Sequence, residues 1–245
     1  MCKQPFSGIA LKRDNRYLDW SDRYEDIIEW FNLPDNPDEI VRYEYAPREG
    51  RYDDLAAYRL KVKQDIVPDW WHDRADEIRS QMAKRVSRCI VADRRKILGG
   101  GPWILVDGAE IECAVNARII GMYGSARVDV MRDSARVDVM RDSACVGIMY
   151  GLTYIGTIYN LTHIIVMHDS TQIGTMYGSA HVDVMRDSTR INTMHDSAHI
   201  AAMYESAYVE AMYNSAYISA MYDSARVGAM YDSTRIAHDY RIEED

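Results

Sequence analysis

A chain of 245 residues, 47% of them apolar and with a formal charge of −9, has room for one large domain or two ordinary ones. The charge argues against free nucleic acid as a bulk partner. The N-terminal stretch MCKQPFSGIALKRDN has no apolar signal-peptide core, and no apolar run reaches membrane-spanning length, so a cytoplasmic protein without membrane contact is expected. Cys2, Cys89, Cys113 and Cys145 form no CxxC pair and read as reduced thiols rather than a disulfide frame or zinc site.

Composition changes sharply along the chain. All five tryptophans and both phenylalanines precede residue 122, and the last lysine is Lys96. From residue 122 onward there are nine arginines against sixteen acids. In the first region, Ser21 is placed to cap a helix over 22–31 that ends at Asn32 and Pro34. Residues 40–45 and Tyr58–Val62 alternate like paired strands about a turn near Gly50. Pro68 opens a longer amphipathic helix over 69–90, with Trp71, Ala75, Ile78, Met82 and Val86 near one face. Gly99-Gly100-Gly101-Pro102 is expected to break the chain before a strand at 103–106. An α+β N-terminal cap over 1–103 follows, covering the first coil of what comes next and blocking strand addition there.

No constellation in this cap specifies chemistry. The stretch from Arg94 to Gly101 lacks the Gly-Lys-[Ser/Thr] of a phosphate-binding loop. His72 has no evident Cys or Ser partner, and Trp70-Trp71 reads as core or docking surface. The protein is not expected to be an enzyme.

A second region, 104–245, contains thirteen nine-residue units between Met122 and His238, each opening on Met except the one at Ile158. The fourth residue is Ser except at Leu152 and Leu161, the fifth is Ala or Thr, the seventh Val or Ile, and the ninth usually Val, Ile, Thr or Ala. Apolar residues at five, seven and nine have the period of a strand with one face buried. The second to fourth residues favour a turn, because Asp, Asn and Gly tolerate tight backbone angles and Ser bonds nearby backbone. The prediction is a mainly β fold: a tandem-repeat β-solenoid of either hand, with about two repeats per coil. Coils about 4.8 Å apart would stack to roughly 30 Å. Met at the first place suits irregular corner space.

Tyr123-Gly124-Ser125-Ala126 and Tyr177-Gly178-Ser179-Ala180 resemble the Tyr-Gly-Ser-Thr corner of bacterial ice-nucleation repeats, which run at eight residues and present Thr-x-Thr outward where this chain presents Arg, His and Tyr. The N-terminal Cys2-Lys3-Gln4-Pro5-Phe6-Ser7-Gly8 together with the nonads resembles uncharacterised phage and mobile-element proteins over most of the chain. That resemblance implies a fold and a genetic setting rather than an activity.

If alternate nonads share a face, the second place reads Tyr123, Arg141, Tyr159, Tyr177, His195, Tyr213, Tyr231 on one side and Arg132, Tyr150, His168, Arg186, Tyr204, Tyr222 on the other. Tyr123, Tyr159, Tyr177, Tyr213 and Tyr231 form the candidate contact ladder, since tyrosine supplies interface area at low entropic cost. Equally, stacked rings simply stabilise neighbouring coils. A second ladder at the sixth place holds Arg127, His163, His181, His199, Tyr217 and Arg235, with Cys145 among them. A line of histidines makes a poor tetrahedron and no carboxylate is obliged to orient the rings, so a solvated polar face is expected, with no metal and no cofactor. Asp129, Asp138, Asp183 and Glu210 at the eighth place suggest mimicry of a DNA backbone, as in pentapeptide-repeat solenoids, although arginines dilute the field. The function expected is a protein-binding scaffold that engages a host or defence protein. Alternatives are a self-assembling structural protein joined through its tyrosines or C-terminal coil, an acidic DNA mimic, and a small-ligand sponge with a pocket between cap and solenoid.

Overall fold

The computed structural model describes residues 6–13, 17–18, 23–47 and 51–241. Cys2, Ser21 and Gly50, to which the sequence assigns a thiol, a cap and a turn, lie outside them. The chain divides into two compact units, Met1–Ile90 and Val91–Asp245. The division falls earlier than the boundary expected after residue 103, because the residues next to the glycines already belong to the solenoid.

The N-terminal unit holds a four-stranded antiparallel sheet in the order β2-β1-β3-β4, built from β1 (Ser7–Leu11), β2 (Tyr17–Leu18), β3 (Ile40–Pro47) and β4 (Tyr58–Val62). Its helices are α1 (Tyr24–Trp30) and α2 (Trp70–Cys89). The β3–β4 pair and both helices follow the sequence pattern. β1 escapes it because Ser-Gly-Ile-Ala-Leu is buried throughout and so lacks polar alternation. α2 buries Trp71, Ile78, Met82 and Val86 at helical spacing. Arg74, not the expected Ala75, completes that stripe, and its guanidinium donates to the Leu11 carbonyl. Among the described residues no helix is long and apolar enough to cross a membrane.

After the short β5 (Ile90–Val91), which pairs with β6, the strands from β6 (Arg94–Leu105) and β7 (Glu110–Met122) onward are parallel. One strand per nonad follows, from β8 (Arg127–Arg132) and β9 (Arg136–Met140) to β19 (Arg226–Met230) and β20 (Arg235–Tyr240). From β9 to β18 each pairs with the strands two before and two after it: Val146 faces Val128 on one side and Ile164 on the other. Two nonads therefore make one coil. Even-numbered strands form one sheet and odd-numbered strands the other. β7 is long enough to begin both, pairing with β8 through its first half and with β9 through its second. The result is a parallel β-solenoid of about eight turns, longer than the regular nonads alone would make.

The Gly99–Pro102 stretch does not break the chain. It lies inside β6, where Gly100 and Gly101 take positive φ values of 65° and 135° and the pairing with β7 jumps register. A Cβ on Gly101 would stand 2.3 Å from the Arg118 carbonyl oxygen, so only glycine turns the corner there.

The core is a column of stacked small and unbranched side chains. First, fifth and seventh places face inward: Met176, Ala180 and Val182 are each 0% exposed, as are their equivalents through most of the stack. The sequence expectation of five, seven and nine is corrected here. Ninth-place residues such as Val130, Thr157 and Ala202 are only half-buried, while the following Met turns in. The pairing skips the eighth residue, so that Cys145, Val146, Ile148 and Met149 have partners and Gly147 does not. Alternation slips by one at that point, leaving eighth and ninth residues both outward and returning Met to the core. Nine is an odd number, and one slip per unit brings every nonad to the same face.

Candidate functional site

Thirteen corners align along the two edges of the solenoid, and the third residue of each nonad is left-handed. Gly124, Gly151 and Gly178 have φ of 61°, 72° and 71°, and the Asp, Asn and Glu residues at the other third places lie between 54° and 64°. Gly, Asn and Asp accept this conformation at low cost, which is why they recur. The carboxylates there also bond down the stack. Asp169, Asp187 and Glu205 accept from the amides of Gly151, Asp169 and Asp187 at 2.8, 2.8 and 2.6 Å. Asp196 and Asp232 accept from Gly178 and Asn214 on the other edge, both at 3.0 Å. The Asp169 amide holds the Asp187 carboxyl below its ordinary range. Asp107 is lowered in the same way by the amide and hydroxyl of Ser125. Sequence reading found the turns but missed this ladder; the signal was carboxylates recurring at a spacing of eighteen.

Second-place side chains stand beside these corners and stack. Tyr159, Tyr177, His195, Tyr213 and Tyr231 run along one edge with ring centroids 4.7 to 5.2 Å apart and planes within 15° of parallel. The Arg141 guanidinium caps the run 4.4 Å from the Tyr159 centroid. The opposite edge pairs Tyr150 with His168, then Arg186, Tyr204, Tyr222 and Tyr240 in succession. Four of the five candidate contact tyrosines thus lie on one continuous, partly exposed strip. Tyr123 is the exception and lies outside the strip: it is 1% exposed, its ring packed over Gly121, where a Cβ would approach within 2.4 Å.

The second candidate ladder is real as a column on the even-numbered sheet, but its members do different things. Arg127 bonds Asp129 on its own strand at 2.6 Å, and Arg235 lies 5.4 Å from the Tyr217 ring centroid. Tyr217 stacks 3.9 Å from His199. Burial, and then the neighbouring His181, push His199 down to about 4, an effect partly offset by the charge of Asp183. His199 Nε2 lies 2.7 Å from Ser219 Oγ. His163 and His181 both reach Asp183 Oδ1 from Nε2, at 2.8 and 2.7 Å. A carboxylate therefore does orient two of the rings, against the sequence expectation. It comes from the eighth place of the His181 strand, brought beside both rings by coil stacking.

Other acids on the sheet faces are also paired. Asp138 meets Arg136 at 2.7 Å and Glu210 meets Arg190 at 2.6 Å, so the carboxylates alternate with guanidinium charge instead of forming an unbroken anionic line. Burial raises the thiols of Cys89 and Cys145 above their ordinary values, which disfavours thiolate chemistry. Within the N-terminal unit an open groove is lined by Leu11, Leu33, Pro34 and Ile40, with Arg13 and Glu39 at its polar side. Comparison with protein-family models, with curated proteins and with solved structures finds no match to this chain.

Proposed function

We propose that this chain is a non-enzymatic scaffold that binds another protein through the outward edges of its solenoid. The observation that carries this reading is the strip Tyr159–Tyr177–His195–Tyr213–Tyr231, whose rings are held in register by their neighbours. Side chains already ordered by stacking lose little further entropy on binding, and tyrosine and histidine offer both an apolar face and a hydrogen-bonding tip. The resemblance to phage and mobile-element proteins makes a host or defence protein the partner to seek.

The test is capture from host lysate by the full-length chain and by a Tyr159→Ser, Tyr177→Ser, Tyr213→Ser variant. A stoichiometric partner held by the wild type and lost by the variant supports the edge as the contact surface. A partner retained by the variant overturns it.

A second reading, self-association through the C-terminal coil, rests on a different observation. Met230 is 41% exposed, and Val227 and Ile236 are only partly buried, although their equivalents in earlier coils are fully buried. Among the described residues β19 and β20 each have one paired neighbour, so both present a strand edge. A second copy is the natural occupant, because its own last coil has the same cross-section. Light scattering on wild type and Met230→Glu distinguishes the readings. A dimer lost in the variant supports end-to-end pairing; a monomeric wild type at high concentration removes it.

A further inference from the structure

The three histidines on the even-numbered sheet depart from the rest of the aromatic columns in one respect. No ring pair in the two edge strips exceeds 15° from parallel. His163 and His181 are tilted by 42°, and His181 and His199 by 41°. Ring–ring attraction favours offset-parallel or edge-to-face rings, and a tilt near 40° is neither. The tilt turns the first two imidazoles toward one point, the Oδ1 atom of Asp183, which each Nε2 reaches within 2.8 Å. One donor atom from each of His163, His181 and Asp183 lies within 4.8 Å of the others.

We propose that His163, His181 and Asp183 bind one divalent transition-metal ion of the zinc class across adjacent coils. Two imidazole nitrogens and a carboxylate oxygen are a donor set such ions take, at bond lengths of about 2.0–2.2 Å. A tetrahedral ion at those lengths separates its donors by about 3.3 Å; the carboxylate oxygen and each ring nitrogen, now 2.8 and 2.7 Å apart, part by about half an ångström, and the donor atoms of the two rings already lie within 4.8 Å of each other. The ion takes the place of the two Nε2–Oδ1 contacts, and each neutral ring then carries its single proton on Nδ1, leaving Nε2 free to ligate. Three protein ligands leave a fourth tetrahedral position open, as in catalytic rather than closed structural sites. The three side chains are between 30% and 38% exposed, so that position faces solvent or a donor from a bound partner. His163 and His181 sit on neighbouring strands, paired residue to residue. Bound metal therefore also staples one coil to the next.

The inference does not depend on the protein-binding reading. Full-length protein stripped with chelator is titrated with Zn²⁺ calorimetrically and with Co²⁺ by visible absorption. The expected result is one equivalent bound per chain, a tetrahedral Co²⁺ spectrum, and a higher melting temperature with Zn²⁺. His163→Gln, His181→Gln and Asp183→Asn are each expected to weaken binding at least about tenfold and to abolish the thermal shift. His195→Gln and His168→Gln, in the edge strips, leave it unchanged. The substitutions suit the fold, since Gln172 and Asn192 hold the same places in other nonads, and far-UV circular dichroism checks this. No stoichiometric uptake by the wild type overturns the site. So does uptake that survives the three substitutions, or that falls equally with His195→Gln.

Discussion

At the scale of single residues, one position works against the repeat. Glu205 holds a left-handed φ of 58° where every other third place has Gly, Asp or Asn. A long side chain gains nothing there from the local backbone bonding that makes Asp and Asn tolerant. Its carboxylate nevertheless accepts from the Asp187 amide, a bond that Asp makes elsewhere on the same edge. Glu205→Asp keeps that acceptor and relieves the backbone, so it is expected to raise stability by about 0.5–1 kcal/mol, read as a higher denaturant midpoint; a lower midpoint would show that the longer reach matters more than the strain. His199 sets a pH dependence. Because its folded value lies at about 4, below the ordinary value of about 6.5, the unfolded chain binds the proton first as pH falls. The stability it contributes is complete above about pH 6.5 and is lost progressively toward about pH 4. In chelator-treated protein, His199→Tyr, which extends the column to Tyr217, should flatten the fall in melting temperature across that window. An unchanged slope would place the acid sensitivity elsewhere.

At the scale of the strand, stability comes from repetition of one buried pattern. Each inward first-place residue lies against its counterpart in the coil before and the coil after, as Met176 does between Ile158 and Met194. Truncating a fully buried side chain in a stack that cannot collapse around the gap costs about 2–5 kcal/mol. Met176→Ala, at 0% exposure, should therefore lower the denaturant midpoint strongly, whereas Met230→Ala, at 41%, should barely move it. Equal effects would mean that the last coil is covered in solution, which is what end-to-end pairing would produce. The same comparison made as a function of protein concentration separates a covered end from an intrinsically rigid one.

At the scale of the molecule, the solenoid is nearly one-dimensional: each coil touches its two neighbours, and stability is a sum over such interfaces. Removing residues 203–220, one full coil, joins Ala202 to Met221 and keeps every inward place inward. That deletion should fold with a modest loss of melting temperature. Deleting Tyr208 alone removes far less chain but puts Val209 on the outward place and throws it out of register with Ile191 and Val227 in the coils on either side. It should be the more damaging change by circular dichroism and thermal melting. The reverse order would mean that register is set by something other than the stacked core.

Period, strand content and the two-nonad coil were legible in the sequence because each rests on local chemistry: alternating Val and Ile, a Gly, Asp or Asn where the backbone must turn left-handed, and Met in the space that remains. The odd period also contained the reason why the ninth place turns outward, but only the paired strands show that the slip falls at the eighth residue. What the tertiary structure alone decided concerns residues eighteen or twenty positions apart. Asp183 meets His163 across a coil, the Asp187 amide is bonded by Glu205, and Tyr123 folds over Gly121 out of the strip to which its place in the repeat assigns it. The start of the solenoid within β6, through glycines that read locally as a break, belongs to the same class. A nonad states what its own backbone will do. Which side chains then meet depends on stacking distance and coil register, and those exist only once the coils are laid on one another.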